Sequence, residues 1–170
     1  MIRVTEVLQR AGVIKGTGFF TEEARWRGSA VHQALEYDDQ GDLDPATVDA
    51  DLWGYVNAWR RFKQETGFKP RLIEHEVIHQ TLGYIGHLDR EGPLRAQPTI
   101  VDMKTGAIGE WVRLQTVAYG YGLDSKQHFG RVAVRLNANG TYNCRSWPVS
   151  LYGRDLHEWI TLLRTVQDEL

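Results

Sequence analysis

The hydrophobic pattern changes period near residue 70, and this change constrains the fold more than any other feature of the sequence. Before it, apolar residues recur at helical spacing over residues 21–37 and 52–62, with a loop over 15–20 ahead of them. After it, apolar residues alternate over residues 72–84, which is typical of strands. A chain that places helices before a run of strands predicts helical layers packed on one sheet.

The second half of the chain extends this pattern. We predict two strands that meet near residues 81–83, a turn over 90–93, a strand over 99–104, a helix over 111–123, a hairpin at Asn139-Gly140 and a final helix over 152–169. The sequence therefore predicts an α/β fold with a central mixed β-sheet flanked by helices. We expect one domain spanning residues 1–170, with its functional site at one edge of the sheet.

The composition of the chain bears on its cellular location and on the class of protein to which it belongs. The chain has one cysteine, Cys144, so it cannot form an internal disulfide. It has neither an apolar run of membrane-spanning length nor the start of a signal peptide, and we expect a cytoplasmic protein without membrane contacts. The net charge of −2 does not by itself predict a nucleic-acid-binding protein, although local basic pairs such as Arg25 and Arg27 could contact phosphate.

The strongest chemical pattern involves Asp89, Asp102 and Lys104. Asp102 and Lys104 stand two apart on a predicted strand, so their side chains leave the same face. Asp89 ends the preceding predicted strand, and a hairpin would bring it beside Asp102. Carboxylates suit a hard divalent cation such as Mg²⁺ or Mn²⁺, which lowers the pKa of a bound water. A nearby ammonium group can stabilise the charge that develops on a phosphate.

Aromatic residues beside this site or between basic residues are candidates for contacts with DNA. Trp26 lies between Arg25 and Arg27, and Trp111 lies near the mouth of the predicted site. Bases stack on exposed aromatic rings while cationic side chains bind the phosphates. A packing role in the protein interior is the alternative for both tryptophans.

Four segments occur in an order and at spacings that resemble the motifs of the PD-(D/E)XK nuclease superfamily. They are residues 27–32, ending in His32, residues 83–89 with Glu74 ahead of them, residues 101–106 and residues 115–119. Within that superfamily the chain resembles the RecB-like exonuclease branch, which includes small phage nucleases, the mitochondrial genome maintenance exonuclease and CRISPR-associated exonucleases. Relatives with an iron–sulfur cluster need several cysteines, whereas this chain has one.

The resemblance implies a restriction-endonuclease-like core and particular roles for its residues. His32, Asp89 and Asp102 would hold the metal ion together with the backbone carbonyl of Met103. Lys104 would assist the attacking water.

A supporting group follows from the same resemblance. Gln115 and Tyr119 would steady the lysine and contact DNA near the cleaved phosphate. Glu74 matches an acidic position whose role in the superfamily is the least defined, and we predict a supporting acid there.

These expectations amount to a divalent-metal-dependent DNA nuclease. The resemblance favours an exonuclease of phage or cellular DNA recombination, repair or processing, acting on single- or double-stranded DNA. A homo-oligomer and a recombination or single-strand-binding protein as partner are compatible with it. Two alternatives stay open: a non-catalytic DNA-binding module that keeps the fold, and a metal-dependent hydrolase of RNA.

Overall fold

A computed structural model describes residues 1–16 and 21–170 of the chain, so the loop expected over residues 15–20 lies largely outside the described residues. The helices of the described part are α1 (Val4–Arg10), α2 (Glu22–Gln40), α3 (Trp53–Thr66), α4 (Val112–Leu123) and α5 (Tyr152–Asp168). The strands are β1 (Ile2–Arg3), β2 (Leu72–His79), β3 (Tyr84–Leu94), β4 (Gln97–Lys104), β5 (Gly130–Leu136) and β6 (Tyr142–Trp147).

The strands form one mixed sheet in which β3 and β4 are central. The pairs β2–β3, β3–β4 and β5–β6 are antiparallel, whereas β4–β5 and the short β1–β3 pair are parallel. Helices α2 and α3 pack on one face of the sheet, and α1, α4 and α5 pack on the other. The predicted α/β fold with a central mixed sheet flanked by helices is confirmed.

A fork between β3 and β4 positions the candidate site. Pairing between these strands ends at Arg90 with Val101. From there β4 continues along β5 as far as Lys104, while the start of β3 pairs with β1 at Tyr84. Because β2 occupies the opposite edge of β3 over residues 84–91, β1 and β4 share one edge. The segment of β3 between them is open on that edge to side chains from other elements.

β3 is distorted at Asp89. Leu88 packs in the core with α4 and α5, whereas the Arg90 guanidinium lies 5.9 Å from the ring centre of Trp59 in α3, on the opposite face. Residues two apart in a regular strand share a face, so the chain departs here from regular pleating. Glu74, between the residues of β2 that pair with Leu88 and Arg90, has a φ of 45°, which is strained for a residue with a Cβ.

Two predictions about the sheet are wrong. Residues 90–93 continue β3 instead of forming a turn, and the chain reverses at Arg95 and Ala96, whose φ angles are 50° and 65°. Gly92 serves a close backbone approach, because a Cβ there would lie 2.1 Å from the carbonyl oxygen of Lys69. Asp89 therefore lies inside a strand, and the residues around it meet at the central fork instead of at a sheet edge.

The other predicted elements that lie within the described residues are confirmed. Gly83, with a φ of 69°, lies in the turn between β2 and β3, and Gly140, with a φ of 83°, lies in the turn between β5 and β6. The predicted helices coincide with α2 to α5 to within a few residues. Across residues 1–16 and 21–170, none of the helices has the length and apolar character needed to cross a membrane.

Candidate functional site

Three side chains from three different elements converge in the fork. They are His32 of α2, Glu74 of β2 and Asp89 of β3, and one potential ligand atom from each lies within 4.8 Å of the others. His32 Nδ1 is 3.6 Å from Glu74 Oε1 and 3.6 Å from Asp89 Oδ1. An imidazole nitrogen and two carboxylates form a ligand set that suits a divalent metal ion.

The main chain of β4 orients the histidine. His32 Nε2 donates to the carbonyl oxygen of Met103 at 3.1 Å, and Nδ1 faces the two carboxylates. Proteins commonly fix the tautomer of a ligating histidine in this way, through a hydrogen bond from its other ring nitrogen. The Met103 carbonyl, for which the resemblance implies a metal contact, therefore holds the histidine in this structure.

Hydrogen bonds also fix the two carboxylates. Asp89 Oδ2 accepts from the backbone N–H of Met103 at 2.8 Å, so Asp89 satisfies a main-chain donor at the point where the strands separate. Glu74 contacts Arg90 Nη1 at 2.8 Å through one oxygen and His87 Nε2 at 2.9 Å through the other. The potential metal ligands are thus held by their surroundings in a fixed arrangement.

A second group of side chains adjoins these three. Lys104 Nζ lies 2.9 Å from Asp102 Oδ2, 3.4 Å from Gln115 Oε1 and 4.9 Å from the ring centre of Trp111. Gln115 Nε2 donates to the hydroxyl of Tyr119 at 2.9 Å. Residues that the sequence singled out on β4 and α4 therefore surround one ammonium group. Asp102 contacts this lysine, and within the described chain it is outside the three-residue group around His32.

The fork concentrates negative charge. The carboxylate of Asp89 is the largest influence on His32, and together with Glu74 it raises the pKa of the imidazole from 6.5 to about 9 despite burial, which lowers it. Burial raises the pKa of Glu74, but His32 and Arg90 outweigh it and lower the pKa to about 2. Without a bound cation, a protonated His32 therefore partly neutralises the carboxylates.

Lys104 is a cation in this environment. Burial alone would lower the pKa of its ammonium group, but the carboxylates of Asp102 and Asp89 raise the pKa above its ordinary value. Burial and the charge of Asp89 raise the pKa of Asp102, and Lys104 opposes that rise. Lys104 is therefore suited to electrostatic stabilisation and to orienting a water, whereas a positively charged amine cannot accept a proton.

The basic and aromatic candidates lie at the start of α2. Trp26 is 59% exposed, which is unusual for so large an apolar side chain. Two residues further on, a Cβ on Gly28 would lie 3.7 Å from Thr105 Oγ1, so the main chain of α2 adjoins the end of β4 beyond Lys104. The main chain of residues 25–27 is therefore close to the fork. Trp111, in contrast, contacts Lys104.

Three residues of the site were not expected from the sequence. Arg90 is fully buried and contacts Glu74, while Asp39, also buried, contacts Arg90 at 2.7 Å. His87 contacts Glu74 from the solvent side. One signal was available: Asp39 lies seven residues after His32 and so on the same face of α2. Regular strand alternation predicts Arg90 on the same face as Leu88, whereas it lies on the opposite face, beside Trp59.

Known proteins match this chain in fold alone. No family model and no curated protein sequence matches it. Solved structures with a related fold include an alkaline exonuclease, LHK-Exo, from Laribacter hongkongensis, at 13% identity and a TM-score of 0.44 over 99% of this chain and 88% of that chain. The same enzyme in complex with dAMP gives 16% identity and a TM-score of 0.40 over the same shares of the two chains.

A third structure, of SSO0001, is 10% identical, with a TM-score of 0.35 over 94% of this chain and 84% of that chain. Similarities of this size do not identify an activity, so the function rests on the geometry of the fork.

Proposed function

We propose that this protein is a divalent-metal-dependent DNA nuclease whose site is the fork between β3 and β4. The convergence of His32, Glu74 and Asp89, with their ligand atoms within 4.8 Å of one another, carries this proposal. Two carboxylates and an imidazole fit Mg²⁺ or Mn²⁺, and the raised pKa of His32 reports a negative potential that a cation would relieve. When bound, such an ion supplies an activated water and offsets charge on phosphate oxygens.

In this proposal Glu74 is a metal ligand like His32 and Asp89, whereas the sequence analysis predicts only a supporting acid at this position. Its strained φ of 45° supports the assignment, since strained residues cluster at functional sites. Asp102 holds Lys104 at 2.9 Å and faces the same fork. We assign two roles to Asp102. It orients Lys104, and its carboxylate adds negative charge beside Asp89 to the metal site.

Lys104 acts on the phosphate side of the reaction. Its ammonium group is held by Asp102, Gln115 and the ring of Trp111, and hydrogen bonding extends from Gln115 to Tyr119. A fixed positive charge stabilises a transition state more than a mobile one, because no reorganisation is needed when charge develops. We assign to Lys104 the orientation of the attacking water and the stabilisation of the phosphate oxygens.

DNA is the substrate that the surroundings support best. Trp26, exposed between Arg25 and Arg27, can stack on a base while arginines bind phosphates. The second part of the proposal, exonuclease action, follows from the family resemblance alone. A time course with Mn²⁺ on end-labelled linear DNA, circular DNA and RNA tests both parts.

We expect linear DNA to be consumed while circles persist. Cleavage of circular DNA would indicate an endonuclease instead of an exonuclease. Preferential degradation of RNA would favour the metal-dependent hydrolase of RNA. DNA that is bound but never cut would favour the non-catalytic module.

The affinity for metal should depend on pH through His32. Its pKa is about 9, and a ligating imidazole must be deprotonated, so binding of Mn²⁺ should release a proton between pH 6.5 and 9. The affinity should rise by up to about tenfold per pH unit in this range. In the metal-free protein the raised pKa of His32 increases the free energy of unfolding. This contribution is fully present below pH 6.5 and is lost as the pH rises through 9.

Calorimetry in buffers of different ionisation enthalpy measures the released proton. The His32→Gln variant is the control, because its side chain carries no proton to release in this range. Binding of Mn²⁺ to the wild type without proton release across pH 6.5 to 9 would contradict the assignment of His32 as a ligand.

A further inference from the structure

We propose that Arg90, held by Asp39, is the positioning residue that assembles the metal site, an inference that rests on the proposed function. The three elements that deliver His32, Glu74 and Asp89 all meet at this one guanidinium. Arg90 contacts no solvent, since its side chain is 0% exposed. It therefore acts on the reaction only through the residues that it holds.

Arg90 connects the two strands that carry the acidic ligands. Its Nη1 donates to Glu74 Oε1 at 2.8 Å and to the backbone carbonyl of Asp89 at 2.7 Å. One N–H-bearing nitrogen thus sets the position of the Glu74 carboxylate relative to the main chain of Asp89. This contact spans the place where β3 is distorted and Glu74 takes its strained φ of 45°. A strained conformation persists only where its surroundings determine it, and Arg90 supplies that determination.

Asp39 connects the same guanidinium to the helix that carries His32. Arg90 Nε donates to Asp39 Oδ2 at 2.7 Å, and Asp39 lies two helical turns beyond His32 on the same face of α2. Asp39 is fixed in turn by Trp59 Nε1 at 2.9 Å and by the ammonium group of Lys63. The distance between α2 and the two ligand-bearing strands is therefore set by a buried, hydrogen-bonded charge pair.

Stability alone does not explain this arrangement. A buried ion pair costs desolvation that its attraction often does no more than balance, and apolar residues of similar volume are frequently as stable. Within the described residues, Arg90 Nη2 has no hydrogen-bond partner, so the burial is not even fully compensated. A planar guanidinium instead offers several donors in fixed directions, which suits the alignment of three elements.

The charge of Asp39 has its own effect on Glu74. Asp39 shares the positive charge of Arg90, and so limits how strongly Arg90 neutralises Glu74. If Asp39 is replaced by asparagine, Arg90 attracts the Glu74 carboxylate more completely and competes with a metal ion for it. Asp39→Asn should therefore weaken metal binding even where the fold is unchanged.

Three variants test the proposal by calorimetric titration with Mn²⁺ at neutral pH, with thermal unfolding of the metal-free proteins measured in parallel. Arg90→Lys keeps the positive charge and removes the planar guanidinium, so a change in Mn²⁺ affinity reports the loss of its fixed donor geometry. Asp39→Asn keeps the size of the side chain and removes its charge. The matched control, Arg60→Met, removes the arginine that pairs with the neighbouring Asp38 on the solvent side of the same two helices.

We expect both test variants to bind Mn²⁺ about 10- to 100-fold more weakly than the wild type, as is typical when a partner of a metal ligand is lost. The control should bind like the wild type. Half-saturation of DNA cleavage by Mn²⁺ should shift by the same factor. Where Arg90→Lys does not fold, Asp39→Asn decides, because an asparagine has the same size and its amide oxygen can still accept from Trp59 Nε1.

Folded variants that bind Mn²⁺ like the wild type, with only their melting temperatures lowered, would overturn the proposal and leave the nuclease function intact. A wild-type protein that binds no Mn²⁺ would instead overturn the proposed metal site and this inference together.

Discussion

The Asp89→Asn variant should lose metal-dependent cleavage by about 10³-fold or more, because a metal ion contributes several kcal/mol of transition-state stabilisation and each 1.4 kcal/mol is tenfold in rate. The substitution keeps the shape of the side chain, and an amide oxygen can still accept from the backbone N–H of Met103. The fold should therefore survive while the negative charge at the ligand position is lost. Single-turnover cleavage of labelled DNA at saturating Mn²⁺ measures the effect.

Asp49→Asn is the matched control for this experiment. Asp49 is exposed and its side chain makes no capping hydrogen bond, so the same chemical change there should leave the rate unaltered. If Asp89→Asn and Asp49→Asn cleave DNA at the same rate, Asp89 is not a metal ligand.

Replacement of Lys104 should slow cleavage strongly, by a different route from the loss of Asp89. Lys104→Ala removes the positive charge without touching His32, Glu74 or Asp89, so Mn²⁺ should still bind. The chemical step should slow by about 10²- to 10³-fold, the usual effect of losing one preorganised electrostatic group. Titration with Mn²⁺ and single-turnover rates, measured on the same protein, separate binding from chemistry.

Two further variants make the result interpretable. Lys104→Ala leaves the buried Asp102 without its partner, so Lys104→Gln, which can still donate to that carboxylate, tests the role of charge with less disturbance of the fold. Arg135→Ala is the matched control, since Arg135 pairs with Lys104 in the β4–β5 register and is exposed. If Lys104→Ala and Lys104→Gln keep most of the wild-type rate, the role assigned to Lys104 is wrong.

The sequence predicted the layers of this fold because they depend on local patterns. Helical periodicity located α2 and α3, alternation located β2, and glycines with positive φ at Gly83 and Gly140 marked two turns. The failure at residues 90–93 has a physical cause. Gly92 and its neighbouring proline look like a turn, but the glycine is there to let the Lys69 main chain approach β3.

The candidate site was predicted in its composition but not in its architecture. Motif order singled out His32, Asp89 and Lys104, and the structure brings all three to one fork. The prominence of Glu74 could not be predicted, because it depends on a strained backbone angle and on a register that only the assembled sheet defines. For the same reason the buried role of Arg90 was hidden, since regular alternation assigns it to the other face.

We propose that the fork between β3 and β4 binds a divalent metal ion and hydrolyses DNA with it. The most direct test is the rate of phosphodiester hydrolysis by the wild-type protein after removal of metal with a chelator, followed by titration with Mn²⁺ on end-labelled DNA. We predict no hydrolysis in the stripped protein and a saturable recovery as Mn²⁺ is added. DNA that is bound but stays intact at every Mn²⁺ concentration would contradict the claim.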